Sequence, residues 1–135
     1  GATVDYGCMV TAPEFLVIDD NRDSRFLLAK TLLRKFPDAV LHECETGEAA
    51  LATLRSRSLA AIISHRSVET PGIELLLELR ALNREVPIVM VSGIDRKAAA
   101  LAAGADRFFL YDEWLRIGTV VDDVMAKRSP TTAAS

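Results

Sequence analysis

The sequence predicts an α/β fold in which five parallel strands form a doubly wound sheet. Segments typical of a strand and segments typical of a helix alternate five times, with strand starts near residues 15, 40, 60, 87 and 107. Most of these strands are apolar almost throughout, which is typical of strands covered on both faces. The connections leave no room for antiparallel hairpins and suit crossover helices. The predicted sheet is therefore parallel and lies between two layers of helices.

The first strand ends at two adjacent carboxylates. Phe15 to Ile18 are consecutive apolar residues, and Asp19 and Asp20 follow them directly. Ligands bind beyond the carboxyl ends of parallel strands, so the two acids lie where a functional site is expected. Adjacent like charges also repel each other and lose solvation when they are buried. The alternative is that the acids only begin the next helix, because carboxylates favour helix N-termini.

The next segments predict a helix and an edge strand. Asn21 can cap a helix that extends to Phe36, and Pro37 breaks it. The residues expected on its inner face are Phe26, Ala29, Leu32, Leu33 and Phe36. Apolar and polar residues then alternate over 40–44, which predicts a half-exposed edge strand with His42 facing solvent. The first strand is therefore central in the sheet.

The third strand ends at a second candidate site. Thr46 can cap a second helix that extends from Gly47 to about Arg57. Residues 59–64 are apolar almost throughout and predict a buried strand. A polar run follows, made of Ser64, His65, Arg66 and Ser67.

The second half of the chain repeats the pattern. Pro71 and Gly72 start a third helix, and its apolar residues are expected to pack on the sheet: Ile73, Leu75, Leu76, Leu77, Leu79 and Leu82. Residues 86–93 predict a fourth strand that ends at the hydroxyl of Ser92.

A short helix and a final strand and helix complete the predicted fold. Asp95 caps an alanine-rich helix over 96–103, and Gly104 closes it. Residues 107–111 form the fifth strand, and Asp112 or Glu113 begins the last helix. The residues expected on the inner face of that helix are Trp114, Leu115, Val120, Val121, Val124 and Met125.

Composition limits the functions open to the chain. Its 135 residues suit one domain at 14–127, with an extension or processed start at 1–13 and a tail or linker at 128–135. The net charge of −3 and the scattered basic residues argue against nucleic-acid binding. The apolar runs are far shorter than the roughly 20 residues of a membrane span. The absence of a signal peptide and two widely spaced cysteines predict a cytoplasmic location.

Together these features resemble the receiver domain of two-component response regulators, which has a flavodoxin-like fold with strand order 2-1-3-4-5. The resemblance covers residues 14 to about 127. The resemblance rests on four segments: the first strand with its acid pair, the helix start at 72–76, the fourth strand at 87–93 and the turn at 102–105.

The resemblance implies a phosphotransfer chemistry. In this family a partner histidine kinase gives a phosphoryl group to an aspartate at the end of the third strand, with the help of Mg²⁺. Three carboxylates hold the cation, a lysine ending the fifth strand pairs with the phosphoryl oxygens, and a Ser or Thr ends the fourth strand. Positioning and charge neutralisation dominate the catalysis, so each part is needed.

This chain departs from the family at two of those positions. Counting back from Gly72 without a gap places Ser64 at the acceptor position, and counting forward from Gly104 places Tyr111 at the lysine position. A serine hydroxyl is a poor nucleophile without an activating base, and tyrosine carries no ammonium charge. The resemblance therefore implies no cofactor beyond a weak or lost Mg²⁺ site at Asp19 and Asp20.

The neighbours of Ser64 have secondary roles in this interpretation. Side chains alternate along a strand, so His65 is expected to face away from the acid pair if Ser64 faces it. If the strand has already turned, His65 is instead a possible pocket partner and an alternative phosphoryl acceptor. Arg66 is a possible partner that neutralises the acids in place of a cation. Ser92 and Phe108 occupy the family's switch hydroxyl and switch aromatic positions, with Phe108 favoured as plain core.

The sequence thus favours a pseudo-receiver that acts through protein–protein interaction and is not an enzyme. The expected partners are a histidine kinase or phosphotransfer protein, an output domain of its own, or a second copy through the face of the fourth helix, fifth strand and fifth helix. Contact candidates on that face are Arg96, Lys97, Arg107, Arg116 and Asp123. The alternatives are a flavin- or nucleotide-binding domain of similar fold and a metal-dependent phosphohydrolase with Asp19 as nucleophile.

Overall fold

A computed structural model describes residues 12–65 and 72–128 of the chain. Within these ranges, strands and helices alternate from the first strand to the last helix. The elements are β1 (Glu14–Asp19), α1 (Arg22–Lys35), β2 (Val40–Cys44), α2 (Gly47–Ser56), β3 (Ala61–His65), α3 (Gly72–Leu82), β4 (Ile88–Ser92), α4 (Lys97–Ala102), β5 (Arg107–Leu110), a 3₁₀ helix (Tyr111–Arg116) and α5 (Ile117–Arg128).

The five strands form one parallel sheet in the order β2-β1-β3-β4-β5. This order confirms the prediction that β1 is central and β2 lies at an edge. In the pairing of β1 with β3, Ile18 is opposite Ser64 and Asp19 is opposite His65. The carboxyl ends of β1 and β3 therefore meet at one edge of the sheet.

Two layers of helices cover the sheet, because successive side chains of each strand enter opposite cores. One core joins Leu16 and Ile18 of β1 to apolar residues of α2, α3 and α4. The other joins Phe15 and Val17 of β1 to Leu28 and other apolar residues of α1 and α5. Each of these β1 side chains is fully buried.

The predicted helix caps at Asn21 and Thr46 and the closing glycine at 104 are confirmed. The side chain of Asn21 accepts a hydrogen bond from the amide of Ser24 at 2.9 Å, and Thr46 accepts one from the amide of Ala49 at 3.1 Å. The predicted cap at Asp95 is wrong, because α4 begins at Lys97 with Arg96 at its N-cap and no capping side chain; Asp95 lies one residue earlier and its carboxylate accepts a hydrogen bond from the amide of Lys97. Gly104 has a φ of +111°, the left-handed conformation that glycine supplies after a helix.

Four residues expected inside are exposed, so the predicted inner faces are too wide. Phe26 is 58% exposed, Leu77 52%, Leu82 43% and Leu115 62%. The sheet covers only a narrow stripe of each short helix, and in α3 this stripe consists of Leu75, Leu76 and Leu79. Phe26 instead lies under the ammonium group of Lys30, which is 5.6 Å from the centre of its ring.

The last strand is shorter than predicted, and the last helix begins later. Tyr111 starts a 3₁₀ helix instead of ending β5, and the backbone of Glu113 departs from helical geometry with φ −101° and ψ 24°. Helix α5 starts at Ile117, and Val120, Val121 and Val124 are buried as predicted. Trp114 packs against the core from the 3₁₀ helix.

None of the helices in the described ranges has the length and apolar character needed to cross a membrane.

Candidate functional site

Asp19 is the centre of the candidate site at the carboxyl end of β1. Its side chain is fully buried. One carboxylate oxygen, Oδ1, accepts a hydrogen bond from the amide of Asn21 at 2.9 Å. The other, Oδ2, accepts one from the hydroxyl of Ser24 and lies 2.9 Å from Nδ1 of His65. Both oxygens of this buried carboxylate therefore have protein partners, as a buried charge requires.

The first turn of α1 supplies two of the site residues. Because Asn21 caps the helix directly after the acid pair, the buried Ser24 comes to lie over the end of β1. The guanidinium of Arg25 donates to the main-chain carbonyl of Asp19 at 2.7 Å and to the carboxylate of Glu43 at 3.2 Å. Neither Ser24 nor Arg25 was predicted as a site residue from the sequence. Their position about one helical turn after the acid pair is the signal that could have identified them.

His65 is a pocket partner of Asp19, so the expectation that Ser64 faces the acid site and His65 faces away is wrong. Asp19 and His65 are opposite each other in neighbouring parallel strands, and their side chains leave the same face of the sheet. By the same alternation Ser64 shares the opposite face with Ile62 and is 2% exposed. Ser64 was assigned by counting back from Gly72, which assumes that the segment between β3 and α3 has the length usual in the family. The pairing of β1 with β3 shows instead that His65 is the residue opposite Asp19.

Tyr111 closes the site from the side of β5. Its ring stacks on the imidazole of His65, with centroids 4.6 Å apart and planes 14° apart. Its hydroxyl is buried and has no hydrogen-bond partner that meets normal geometry in the described part of the chain. Burial raises the pKa of Tyr111, the negative charge of Asp19 raises it further, and the nearby hydroxyl of Ser24 partly offsets both effects. The phenol therefore stays protonated at neutral pH.

The remaining predicted site residues lie outside this cluster. Ser92 ends β4 and is buried, and its hydroxyl accepts a hydrogen bond from the amide of Ile94 at 3.2 Å. Phe108 is partly buried and packs against the core on the side of α4. Asp20 is partly exposed at the end of β1. Arg66 lies outside the described residues.

The residues of the acid site that the structure describes do not fit a magnesium ion. Mg²⁺ requires near-octahedral oxygen ligands, and it is usually bound through carboxylates and water. Here the carboxylate of Asp19 already accepts hydrogen bonds at both oxygens, and the facing position on β3 holds an imidazole. Over the ranges 12–65 and 72–128, no three His, Cys, Asp or Glu side chains are placed to hold a metal ion.

The face formed by α4, β5 and α5 contains paired charges around a small pocket. The pocket has a volume of about 230 Å³, and Phe108 and Leu110 contribute apolar surface to it. Arg107 forms an ion pair of 2.7 Å with Asp123, and Arg116 forms one of 3.1 Å with Glu113. The other two contact candidates, Arg96 and Lys97, are exposed at the start of α4.

The chain is similar to known regulatory proteins. A model of the response regulator receiver domain matches residues 15–111. The transcriptional regulatory protein PrrA of Mycobacterium tuberculosis is 29% identical over 104 residues, which are 75% of this chain and 44% of PrrA. The chain therefore spans less than half the length of this relative.

Solved structures show the same fold. NtrX from Brucella abortus superposes with a TM-score of 0.76 at 23% identity, over 92% of this chain and 29% of NtrX. A two-component response regulator from Clostridium difficile superposes with a TM-score of 0.74 at 21% identity, over 87% of this chain and 98% of that chain. Because the family match spans more than half of the sequence, this chain belongs to the response regulator receiver domain family.

Proposed function

We propose that this receiver domain is a pseudo-receiver, a signalling module that binds protein partners and is not switched by phosphorylation of an aspartate. The observation that carries the proposal is the contact between Nδ1 of His65 and Oδ2 of Asp19. The position on β3 that faces the acid site holds an imidazole, and the carboxylate of Asp19 is buried and accepts hydrogen bonds at both oxygens.

The electrostatics of the site support the same proposal. Phosphoryl transfer to a carboxylate needs cations that neutralise the charge of the transferred group. The family's lysine position holds Tyr111, whose buried hydroxyl carries no positive charge. The guanidinium of Arg25 is committed to the carbonyl of Asp19 and to Glu43 and Glu45. We expect neither Mg²⁺ nor another cofactor to bind.

The two alternative functions gain no support from the geometry. A phosphohydrolase needs a carboxylate nucleophile that can reach its substrate, whereas Asp19 is fully buried and hydrogen-bonded at both oxygens. A flavin- or nucleotide-binding domain needs a loop of amide groups to hold phosphate after β1. In this chain the amide of Asn21 is instead bound by the carboxylate of Asp19.

The partners proposed are those of the family. Response regulators interact with histidine kinases and with output domains of their own. We propose the α4–β5–α5 face as the contact surface, either for such a partner or for a second copy of the chain, in the cytoplasm. Arg107 of β5 pairs with Asp123 of α5, which also pairs with Lys127, and opposite charges at a rim favour orientation and specificity. The chain matches only 44% of PrrA, so we include an attached output domain among the proposed partners.

Acetyl phosphate and Mg²⁺ test the loss of the aspartyl switch. The chain is incubated with both reagents, and its intact mass is measured before and after brief treatment with alkali, which hydrolyses acyl phosphates. We expect no magnesium-dependent adduct that alkali removes, and no saturable change in the fluorescence of Trp114 on titration with Mg²⁺. A receiver domain with an aspartate acceptor serves as the positive control. An alkali-labile adduct that maps to Asp19 or Asp20 would overturn the proposal.

A further inference from the structure

The imidazole of His65 is held in one orientation by a buried carboxylate. Nδ1 lies 2.9 Å from Oδ2 of Asp19, a carboxylate that can only accept hydrogen bonds when it is ionised. In the neutral imidazole, this contact places the proton on Nδ1 and leaves the lone pair on Nε2. An aligned carboxylate also stabilises the positive charge that develops on the ring when Nε2 attacks an electrophile.

The surroundings keep the ring in place and leave part of it accessible. Tyr111 stacks on one face of the imidazole at a centroid distance of 4.6 Å, which restricts its rotation. The side chain of His65 is 15% exposed to solvent, whereas that of Asp19 is 1% exposed. Nδ1 is directed at the buried carboxylate, so Nε2 is the ring nitrogen that this hydrogen bond does not use.

We infer that His65 is a phosphoryl acceptor and takes the group on Nε2 from an N-phosphoryl donor. The inference rests on the proposed function, because it assigns a modification to the site that has lost its aspartate acceptor. The lone pair of Nε2 attacks phosphorus, and the P–N bond to the donor breaks. The donor nitrogen leaves with that electron pair and takes up a proton from water. The Nδ1 proton stays in its hydrogen bond to Asp19.

The chemistry of the bonds indicates the class of donor. Transfer from a phosphohistidine or a simple phosphoramidate breaks one P–N bond and forms another, so neither side of the exchange is strongly favoured. A serine ester at Ser64 would be far more stable, and that side chain lies on the other face of the sheet. No metal ion takes part in the step as written.

Potassium phosphoramidate is the probe, and His42 supplies a matched control. The chain has two histidines, and their side chains are similarly shielded, at 23% exposure for His42 and 15% for His65. Nε2 of His42 is already bonded to Glu14 at 2.8 Å. The 135-residue chain is incubated with the probe and EDTA, and its intact mass and fragment masses are recorded.

We expect a gain of one phosphoryl group that is stable in alkali, lost in mild acid and located on His65. The variant H65Q should lose the adduct, and H42Q should keep it, with circular dichroism verifying that both fold. The variant D19N should slow the reaction on the order of tenfold or more. Its ¹⁵N spectrum should also show the proton of His65 moving from Nδ1 toward Nε2, which a merely structural role would not predict.

Three results would overturn the inference. One is a folded chain without an adduct under conditions that phosphorylate a free histidine peptide. Another is equal labelling of both histidines, which would indicate ordinary surface reactivity. A third is an unchanged labelling rate and tautomer in D19N. An alkali-labile, magnesium-dependent adduct on Asp19 or Asp20 would instead overturn the proposed function, so the two failures can be told apart.

Discussion

Nδ1 of His65 and Oδ2 of Asp19 lie 2.9 Å apart, and the two residues are opposite each other in neighbouring parallel strands. The same carboxylate accepts hydrogen bonds from Ser24 and from the amide of Asn21, so it links β1, β3 and the first turn of α1. Asp19 therefore stabilises the junction of three elements.

Replacement of Asp19 by alanine should destabilise the fold. The change leaves the hydroxyl of Ser24, the amide of Asn21 and Nδ1 of His65 without their acceptor in a buried site. We expect the free energy of unfolding to fall by about 2 to 3 kcal/mol, measured by urea denaturation. Asp23→Ala removes an exposed carboxylate from the same helical turn and should cost about 0.5 kcal/mol. Equal losses in both variants would contradict a role for Asp19 at the junction.

Glu14 should contribute to stability above pH 4.5 and lose that contribution in acid. Its carboxylate accepts hydrogen bonds from Nε2 of His42 at 2.8 Å and from Arg57 at 3.0 and 3.2 Å. The bond to His42, followed by those to Arg57, lowers the pKa of Glu14 below its ordinary value of 4.5. The unfolded chain therefore binds this proton at a higher pH than the folded chain does, and stability falls as the pH drops below 4.5 toward the folded value.

The variant Glu14→Gln should weaken this part of the acid dependence. Thermal unfolding followed by circular dichroism from about pH 6 to about pH 3 measures it, since stability follows the difference in bound protons. The control is Glu78→Gln on the exposed side of α3, which removes one carboxylate without touching the contacts of Glu14. If E14Q and the unmodified chain lose stability in parallel over this range, the pairing of Glu14 contributes nothing.

Replacement of Gly104 by alanine should also be costly. Gly104 has a φ of +111°, and an added Cβ would lie 3.0 Å from Cγ of Arg80, whose guanidinium donates to the Gly104 carbonyl at 2.7 Å. We expect a loss of about 1 to 3 kcal/mol in urea denaturation, from backbone strain and displacement of Arg80. Gly93→Ala is the control, because a Cβ there meets no atom within 4 Å. A G104A variant as stable as G93A would show that the turn adapts.

The hydroxyl of Tyr111 should be dispensable at neutral pH and harmful in alkali. It is buried without a partner that meets normal geometry in the described chain, so Tyr111→Phe should leave stability unchanged or raise it by up to about 1 kcal/mol. Because burial raises the pKa of Tyr111 above 10.0, the unfolded chain loses this proton first, and stability falls as the pH rises past 10.0. Urea denaturation at neutral and alkaline pH should show a smaller alkaline loss in Y111F. An identical loss would contradict this assignment.

The fold could be predicted from the sequence because its signals are local. The apolar run before Asp19, the caps at Asn21 and Thr46 and the glycine at 104 each report on their own few residues. A parallel sheet with right-handed crossovers then leaves few possible strand orders. The exposed positions of Phe26 and Leu77 were missed because helical periodicity gives the direction of an inner face but not the width that the sheet covers.

The candidate site could be predicted only in part. The position of Asp19 follows from the end of β1, whereas the residue facing it depends on the register between β1 and β3. A shift of one residue exchanges Ser64 for His65, because side chains alternate with a period of two. The stacking of Tyr111 on His65 joins residues far apart in sequence and has no local signal.

Replacement of Ser64 or His65 by aspartate tests the register between β1 and β3 directly. His65→Asp would place a second carboxylate on the face of Asp19, and the repulsion between the two would be relieved by a divalent cation. We therefore expect H65D to gain stability with Mg²⁺, by about 2.7 kcal/mol when the ion is at a hundredfold excess over its dissociation constant. Thermal unfolding with and without the ion measures the gain, and the unmodified chain should show none.

Ser64→Asp is the matched variant, because it adds the same group one residue earlier in β3. Its carboxylate would enter the apolar core beside Ile62 and Met90, where an unpaired charge has no solvation and no ion can reach it easily. We expect S64D to be strongly destabilised and Mg²⁺ to restore nothing. The reverse result, with Mg²⁺ stabilising S64D and not H65D, would mean that Ser64 faces the acids. The contact between His65 and Asp19 would then not exist in solution, and both proposals built on it would fail together.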